Sequence, residues 1–542
     1  MDQSIRLPLQ QIKNYSMGAL NISIWDCAII LAYIILIIWW GLRHARSDNA
    51  GSYFLAGRSM PWWVVGLSLF AASISSTTLI GQAGYAYNAG VAPFNYNLTG
   101  VVVLVFFATF ILPLYIKSGI FTIPEFLEKR YDRKSRYYFS AVSIIGNVFL
   151  DAAGALYAAA LIIKLVFPEA DLRLIIAIFA IIAASYTIPG GLSSAISAEL
   201  VQAVILIVGS IILTVACFAN GGGEYLAGLL SSGDISMKLV RPLADIETPW
   251  LGLIVGMPVS GLYFWANNQT LVQRVLSAKS VDEGRKGVML AGFLTLVTLF
   301  IIVFPGMIAG KLFPGIEISD MVYPTMVMKL LPVGLLGIML AALLAALTST
   351  MSAILNSTST LFTMDFYAKL NPSADQGKLV AVGKITAAVI VVIAALWAPQ
   401  IEKFGSLLKY YQEMLSYLAP PVVAAFLMGM FCSRVNARGA FTGLLSGLAV
   451  AIVLLVWKDR IFGGLHFLYV IPILLIFSMV VIYLASLGSP APQQDKLEST
   501  MFRMSDFRKE TAELRSVAWY SNYRVWGGAL LAACALLLVI LS

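Results

Sequence analysis

Three short clusters of uncharged oxygen donors and one isolated carboxylate carry the chemistry this sequence offers. The first cluster is Ala71-Ala72-Ser73-Ile74-Ser75-Ser76-Thr77-Thr78, with five hydroxyls in eight residues. The second is Gly256, Pro258, Ser260 and Gly261, and the third is Thr348-Ser349-Thr350-Met351-Ser352. All three lie inside apolar stretches. Hydroxyls and backbone carbonyls are hard donors without charge, suited to a monovalent cation that must also be able to leave. A site of this kind has no group that protonates near neutral pH, which favours sodium over a proton. The carboxylate is Asp151, within Val148-Phe149-Leu150-Asp151-Ala152-Ala153-Gly154. A charge placed so deep in apolar sequence is costly unless paired or hydrated, and marks a functional position. The bland reading is an Asp that is protonated and bonded to its own helix.

The same inventory argues against an enzyme. His44 and His466 are isolated. Cys27, Cys217, Cys432 and Cys534 sit in or beside apolar stretches with no metal-ligand spacing. No nucleophile–base pair or metal-ligand set stands out.

The elements that must position these residues cross a membrane. The chain has 542 residues, is 59% hydrophobic and only 12% charged, where a soluble domain carries about a quarter charged residues. A helix needs about 20 apolar residues to cross the hydrocarbon. Fourteen stretches qualify, near 22–42, 62–86, 92–116, 137–166, 172–188, 192–218, 249–273, 287–312, 333–362, 379–397, 405–431, 438–457, 465–487 and 522–541. The net charge of +8 is spread over short loops, so it reads as a topology signal rather than a nucleic-acid surface. With the N-terminus outside, 24 of the 36 Lys and Arg fall on the inner side. The C-terminus is then also outside, and the expected setting is the plasma (cytoplasmic) membrane. Lys129/Arg130/Arg133/Lys134/Arg136 and Arg274/Lys279/Arg285/Lys286 read as inner topology determinants. Residues 1–20 are polar and show no removable signal peptide.

The expected organisation is a tail, first span and inner loop (1–60), five spans (61–218), an outer loop (219–248) and five more spans (249–431). Two further spans (432–487), an inner loop with a short helix over 499–515 (488–521) and a last span (522–542) complete the chain. The second and seventh spans look broken. Pro removes a helix hydrogen bond and Gly weakens a helix, and carbonyls freed at membrane depth need a partner. The breaks fall first in each group of five, the pattern of an inverted repeat with a solute site at its interface. Ser/Thr-mediated helix packing is the alternative for the second span.

Five strings, in order, make the chain resemble the sodium/solute symporter family, closest to its sodium/glucose cotransporter branch. They are Tyr53-Phe54-Leu55-Ala56-Gly57-Arg58 with Pro61-Trp62-Trp63, Thr122-Ile123-Pro124-Glu125-Phe126-Leu127-Glu128-Lys129-Arg130, Tyr186-Thr187-Ile188-Pro189-Gly190-Gly191-Leu192-Ser193, Gln273-Arg274-Val275-Leu276-Ser277-Ala278-Lys279, and Leu355-Asn356-Ser357-Thr358 with Phe362-Thr363-Met364-Asp365. The resemblance implies an all-α membrane protein with a five-plus-five inverted-repeat (LeuT-like) core and alternating access. It implies sodium-coupled symport of a small neutral solute such as a sugar, glycoside or polyol. It places sodium on the carbonyls of Ala71, Ile74 and Ala346 and the hydroxyls of Ser349 and Thr350. A second sodium would use Glu199, which could equally be a solvated residue near the inner mouth. The family's sugar positions read Thr78, Asn97, Gly100, Gly261, Thr295 and Gln412 here, and its stacking aromatic reads Phe264. Only Gln412 keeps the family's residue, so recognition of galactose or glucose by the same contacts is not expected. Gln82, Asn95, Tyr96 and Tyr411 remain as polar candidates. Asp151 stands where the sugar transporters have a neutral amide, and a substrate contact is expected there. A sodium symporter for an amino acid or other non-carbohydrate, or a channel or sensor on the same scaffold, is the alternative.

Overall fold

The computed structural model describes residues 23–44, 49–74, 77–166, 169–245, 248–316, 319–404, 407–463 and 465–542. The stretch 1–20, expected to hold no signal peptide, lies outside them, as do Ser75, Ser76 and the side chains of Thr77, Ala346, Lys409, Gln412 and Glu413.

The apolar stretches become helices in the expected order. α1 is Ile24–Arg43, and α2 (Trp62–Ser73) and α3 (Gln82–Ala89) are two limbs of the second span. α4 runs Phe94–Lys117, α5 is the short loop helix Ile123–Arg130, and α6 runs Arg133–Ala160. α7 is Leu172–Cys217, while α8 (Trp250–Val255), α9 (Met257–Leu262) and α10 (Gln269–Leu276) share the seventh span. α11 runs Val281–Leu312. α12 (Leu335–Thr360), α13 (Gln376–Trp397), α14 (Leu407–Phe431), α15 (Ala437–Phe462) and α16 (Phe467–Leu487) follow. α17 (Gln494–Thr500) and α18 (Met504–Leu514) lie on the last polar loop, and α19 is Tyr523–Ile540.

Among the described residues, 11 helices are long and apolar enough to cross a membrane alone, or 12 with the bent pair α2–α3. α7 supplies two spans, because the chain reverses inside it. Gly191 takes φ 60°, and Ser194 Oγ donates to the Tyr186 carbonyl at 2.9 Å. Eight residues of straight helix would hold those groups about 12 Å apart. A Cβ at Gly191 would collide with the Tyr53 carbonyl, so both backbone and packing require glycine. The interrupted α8–α10 segment completes the fourteen. The stretch 220–248, read as a loop, carries a helix, Gly223–Ser232. The last polar loop carries two short helices where one was expected.

Local chemistry explains the boundaries. Ser23 and Asp26 form a capping box on α1, Asp132 caps α6, and Ser280 caps α11; each satisfies N–H groups that a helix start leaves open. Asp26 has a second task that the sequence left unassigned. Its buried Oδ1 accepts the N–H groups of Gly334 and Gly337 at 2.7 Å each, closing the start of α12. Apolar side chains such as Ile24, Ile181, Leu396 and Val539 face outward, as a bilayer-facing surface requires. α12 packs along α7, and α2 along α11, so the donor clusters lie at the centre of the bundle. Three of the seven π-helical turns among the described residues, Thr77–Gly81, Asn147–Ala152 and Tyr263–Asn267, carry Thr78, Asp151 and Phe264. Such turns re-aim side chains and recur at functional sites.

Candidate functional site

α2 ends at Ser73, and the second span bends by 64° between Trp62–Ser73 and Thr78–Ala89. Ile74 leaves the helix at φ −91°, ψ 88°, its N–H still bonded to the Phe70 carbonyl. Ser73 Oγ also donates to that carbonyl, at 2.7 Å. The ladder beyond Phe70 is therefore broken, and the Ala71 carbonyl is met from another helix: Ser349 Oγ of α12 stands 3.3 Å away. Ala346, Ser349 and Thr350 are i, i+3 and i+4 on α12, so they share one stripe. Ser349 is 1% and Thr350 9% exposed, and Thr350 lines a central cavity together with Ile74. The fold thus brings the broken span and the hydroxyl pair together. Neutral oxygens at a helix break fit a sodium ion, and among the described residues no cluster of His, Cys, Asp and Glu offers a competing metal centre. Thr348 faces elsewhere, since Gln202 Nε2 donates to it at 2.8 Å and its hydroxyl donates to the Leu344 carbonyl at 2.8 Å. It ties helices together.

The cavity has a volume of about 270 Å³. Its walls include Thr78, Gln82, Asn97, Gly261, Phe264, Thr295, Tyr411 and Asp151. Asn97 is already engaged: Gln82 Nε2 donates to its Oδ1, and its Nδ2 donates to Thr298 Oγ1 at 2.8 Å. Thr295 Oγ1 donates to the Ala291 carbonyl of its own helix at 2.8 Å. Gln82 Oε1, in contrast, is buried without a hydrogen-bond partner among the described residues. A buried acceptor without a donor costs about 1–3 kcal/mol, so a ligand hydroxyl is its natural partner. Asp151 accepts a hydrogen bond from the Tyr411 hydroxyl. Gly100 is not part of the wall. A Cβ there would sit 2.7 Å from Trp265 Nε1, so its absence lets Trp265 line the cavity, edge-on to Phe264 at 5.1 Å. The sequence reading missed Trp265; the triplet Tyr263-Phe264-Trp265 beside a broken span was the available signal. It also left Gln82 without a specific role. Asn95, a polar candidate, is turned to the backbone and donates to the Ala92 and Leu239 carbonyls at 3.1 and 2.8 Å. Gln412 lies outside the described side chains.

Glu199 is fully buried, not solvated. Arg274 Nη2 donates to its Oε1 at 2.5 Å, and Ser68 Oγ donates to Oε2. Arg274 is itself fully buried, so this arginine, read as an inner-loop topology determinant, is also the buried partner of Glu199. The Glu199 charge is already matched, which argues against a second sodium on it. Arg136 is likewise buried, with Nη2 2.6 Å from Asp365 Oδ1 and Nη1 on Glu128. Thr122 Oγ1 donates to the same Asp365 oxygen at 2.6 Å. This network fastens the loop helix α5 and the start of α6 to the segment beyond α12. The basic face is therefore a set of locked ion pairs as much as a topology signal. Burial alone would raise the Glu128 carboxyl. Hydrogen bonds from Arg136 and Lys369 and their charges outweigh burial and hold it below the ordinary value.

Comparison with known proteins sets these features in context. Residues 53–447 match the model of the sodium:solute symporter family. The chain is 34% identical over 526 residues to sodium/glucose cotransporter 1 of Mus musculus, covering 86% of this chain and 79% of that protein. It is 33% identical over 526 residues to sodium/myo-inositol cotransporter 2 of Sus scrofa, covering 87% of this chain and 77% of that protein. Among solved structures, a Na+-coupled sialic acid symporter in a substrate-bound outward-open state superposes with TM-score 0.76, at 22% identity, over 87% of this chain and 99% of that chain. Mhp1, a nucleobase-cation-symport-1 family transporter, superposes with TM-score 0.54, at 16% identity, over 85% of this chain and all of that one. At these identities the structural likeness establishes the LeuT-like fold.

Proposed function

From the premise that the chain belongs to the sodium:solute symporter family, and so couples solute movement to sodium and is not an enzyme, we propose that it takes up a sugar, glycoside or polyol through the central cavity. The observation that carries this reading is the Ser349 hydroxyl 3.3 Å from the Ala71 carbonyl, at the break of a span whose Ile74 and Thr78 also line the cavity. A cation bound by Ala71, Ile74, Ala346, Ser349 and Thr350 would order that break, and the ordered break forms one wall of the solute site. Sodium affinity and solute affinity then depend on the same backbone segment. Coupling is a difference in sodium affinity between states of the cycle.

Solute recognition draws on Gln82 Oε1, the Asp151–Tyr411 pair, Asn97, Thr78, Thr295 and Gln412, with Phe264 and Trp265 as aromatic walls and Gly261 leaving room. The curated relatives' names include glucose and myo-inositol, which supports a polyhydroxylated solute. Of the sugar positions that the family resemblance implies, this chain keeps only Gln412, so recognition of glucose or galactose by the same contacts is not expected. The two repeats are residues 61–218 and 249–431. The excess of Lys and Arg on one face supports that face as cytoplasmic, in a plasma membrane, with both termini outside.

The test is uptake into proteoliposomes under an imposed inward sodium gradient, with labelled sugars, polyols, glycosides and amino acids. Sodium-dependent accumulation of a carbohydrate is the expected result. Accumulation of an amino acid alone would overturn the solute class. Equilibration without accumulation would indicate a channel.

A further inference from the structure

The central cavity carries one carboxyl group. Among the described residues that line it, Asp151 is the single acid, and there is no Lys, Arg or His. Its hydrogen-bond donor is the Tyr411 hydroxyl. The two buried ion pairs nearby, Glu199 with Arg274 and Asp365 with Arg136, are each neutralised internally. Lys409 and Glu413, either side of Tyr411 in sequence, carry opposite charges, and their side chains lie outside the described set. The remaining polar lining consists of neutral amides and hydroxyls, and Tyr85, Tyr96, Phe264, Trp265 and Tyr411 add aromatic surface.

We propose that Asp151 sets the charge class of the solute: the cavity admits neutral and amine-bearing solutes and excludes those that carry a carboxylate or phosphate. This rests on the reading of the cavity as the solute site. A carboxylate at membrane depth acts through a low dielectric, where a like charge is repelled far more strongly than in water. At about 8 Å and an effective dielectric of about 20, one unit of ligand charge changes binding by roughly 30-fold. The sign is fixed by the residue. An anion is disfavoured, a neutral polyol gains a hydroxyl acceptor, and an ammonium gains a counter-charge together with aromatic faces that attract cations.

The test needs no identified solute. A cysteine is placed in the wall by Ser260→Cys, with Thr99→Cys as a second position; both residues line the cavity. The background carries Cys27→Ser and Cys432→Ser, since Cys217 and Cys534 are buried. The purified full chain is labelled with a cationic reagent, methanethiosulfonate ethylammonium, and an anionic one, methanethiosulfonate ethylsulfonate. Each rate is normalised to that reagent's rate with a free small thiol. The expected result is a cation preference of at least about tenfold that collapses toward one in Asp151→Asn and survives in Asp151→Glu. Equal normalised rates with Asp151 present would overturn the proposal, and so would a preference that persists in Asp151→Asn. Labelling requires no transport, so this inference and the assignment of sodium-driven uptake can fail separately.

Discussion

Replacing Ser349 with Ala removes one oxygen from the proposed sodium site and leaves the helix intact. Ser349 is 1% exposed, with its hydroxyl 3.3 Å from the Ala71 carbonyl. Loss of one neutral ligand to a cation falls in the range of a charge-assisted hydrogen bond, about 1.5–3 kcal/mol. That corresponds to a roughly 10- to 150-fold weaker sodium affinity. The hydrogen bond to Ala71 is lost as well, at about 1 kcal/mol of stability without sodium. The two effects separate by experiment. With sodium at about ten times the wild-type dissociation constant, binding stabilises the fold by about 1.4 kcal/mol; after a 30-fold loss of affinity the gain is about 0.2 kcal/mol. Thermal unfolding in sodium against equimolar potassium reads that difference directly. Uptake against sodium concentration gives the shift in half-saturation. A half-saturating sodium within twofold of wild type, together with undiminished stabilisation by sodium, would refute Ser349 as a ligand.

Three further outcomes follow from the same geometry. Arg274→Met leaves Glu199 charged and buried without its partner and should destabilise the protein by about 3–5 kcal/mol; pairing it with Glu199→Gln should restore much of the loss in thermal unfolding, and no restoration would dissociate the two residues. Gln82→Leu removes the orphan acceptor and one support of Asn97; half-saturation for solute should rise about tenfold, within the range for a lost polar contact, with sodium half-saturation little changed. Glu128 is held below the ordinary carboxyl value of 4.5, so its contribution to stability is complete above that pH and is lost as pH falls through the depressed value. An acid-unfolding comparison with Glu128→Gln should show a difference that shrinks below about pH 4.5, small because the group is partly exposed; a difference independent of pH would mean the ion pairs are not its cause.

The residues show which features local sequence can determine. Apolar runs of membrane-spanning length fix helix count and order, since a bilayer leaves the backbone no other way to satisfy its hydrogen bonds. The break of the second span was equally legible, since Ile74 leaves the helix within the hydroxyl-rich string; in the seventh span Gly256 keeps helical angles and the backbone turns extended only at Asn268. The paired hydroxyls Ser349 and Thr350 pointed to the proposed cation site from donor chemistry alone.

What a side chain faces is a property of neighbours far away in the chain, and only the tertiary structure decided it. Arg274 looks like any loop arginine until α7 brings Glu199 to it across 75 positions. Asn97 and Thr295 read as open solute contacts, yet Gln82, Thr298 and the Ala291 carbonyl already engage them. Trp265 enters the cavity because Gly100, on another helix, leaves it room. Asp26 closes the start of a helix more than 300 positions away. Composition and period determined that this chain crosses a membrane and where its helices break. Which polar groups remain free for a solute was settled by packing, because a buried donor or acceptor takes the nearest partner the fold supplies.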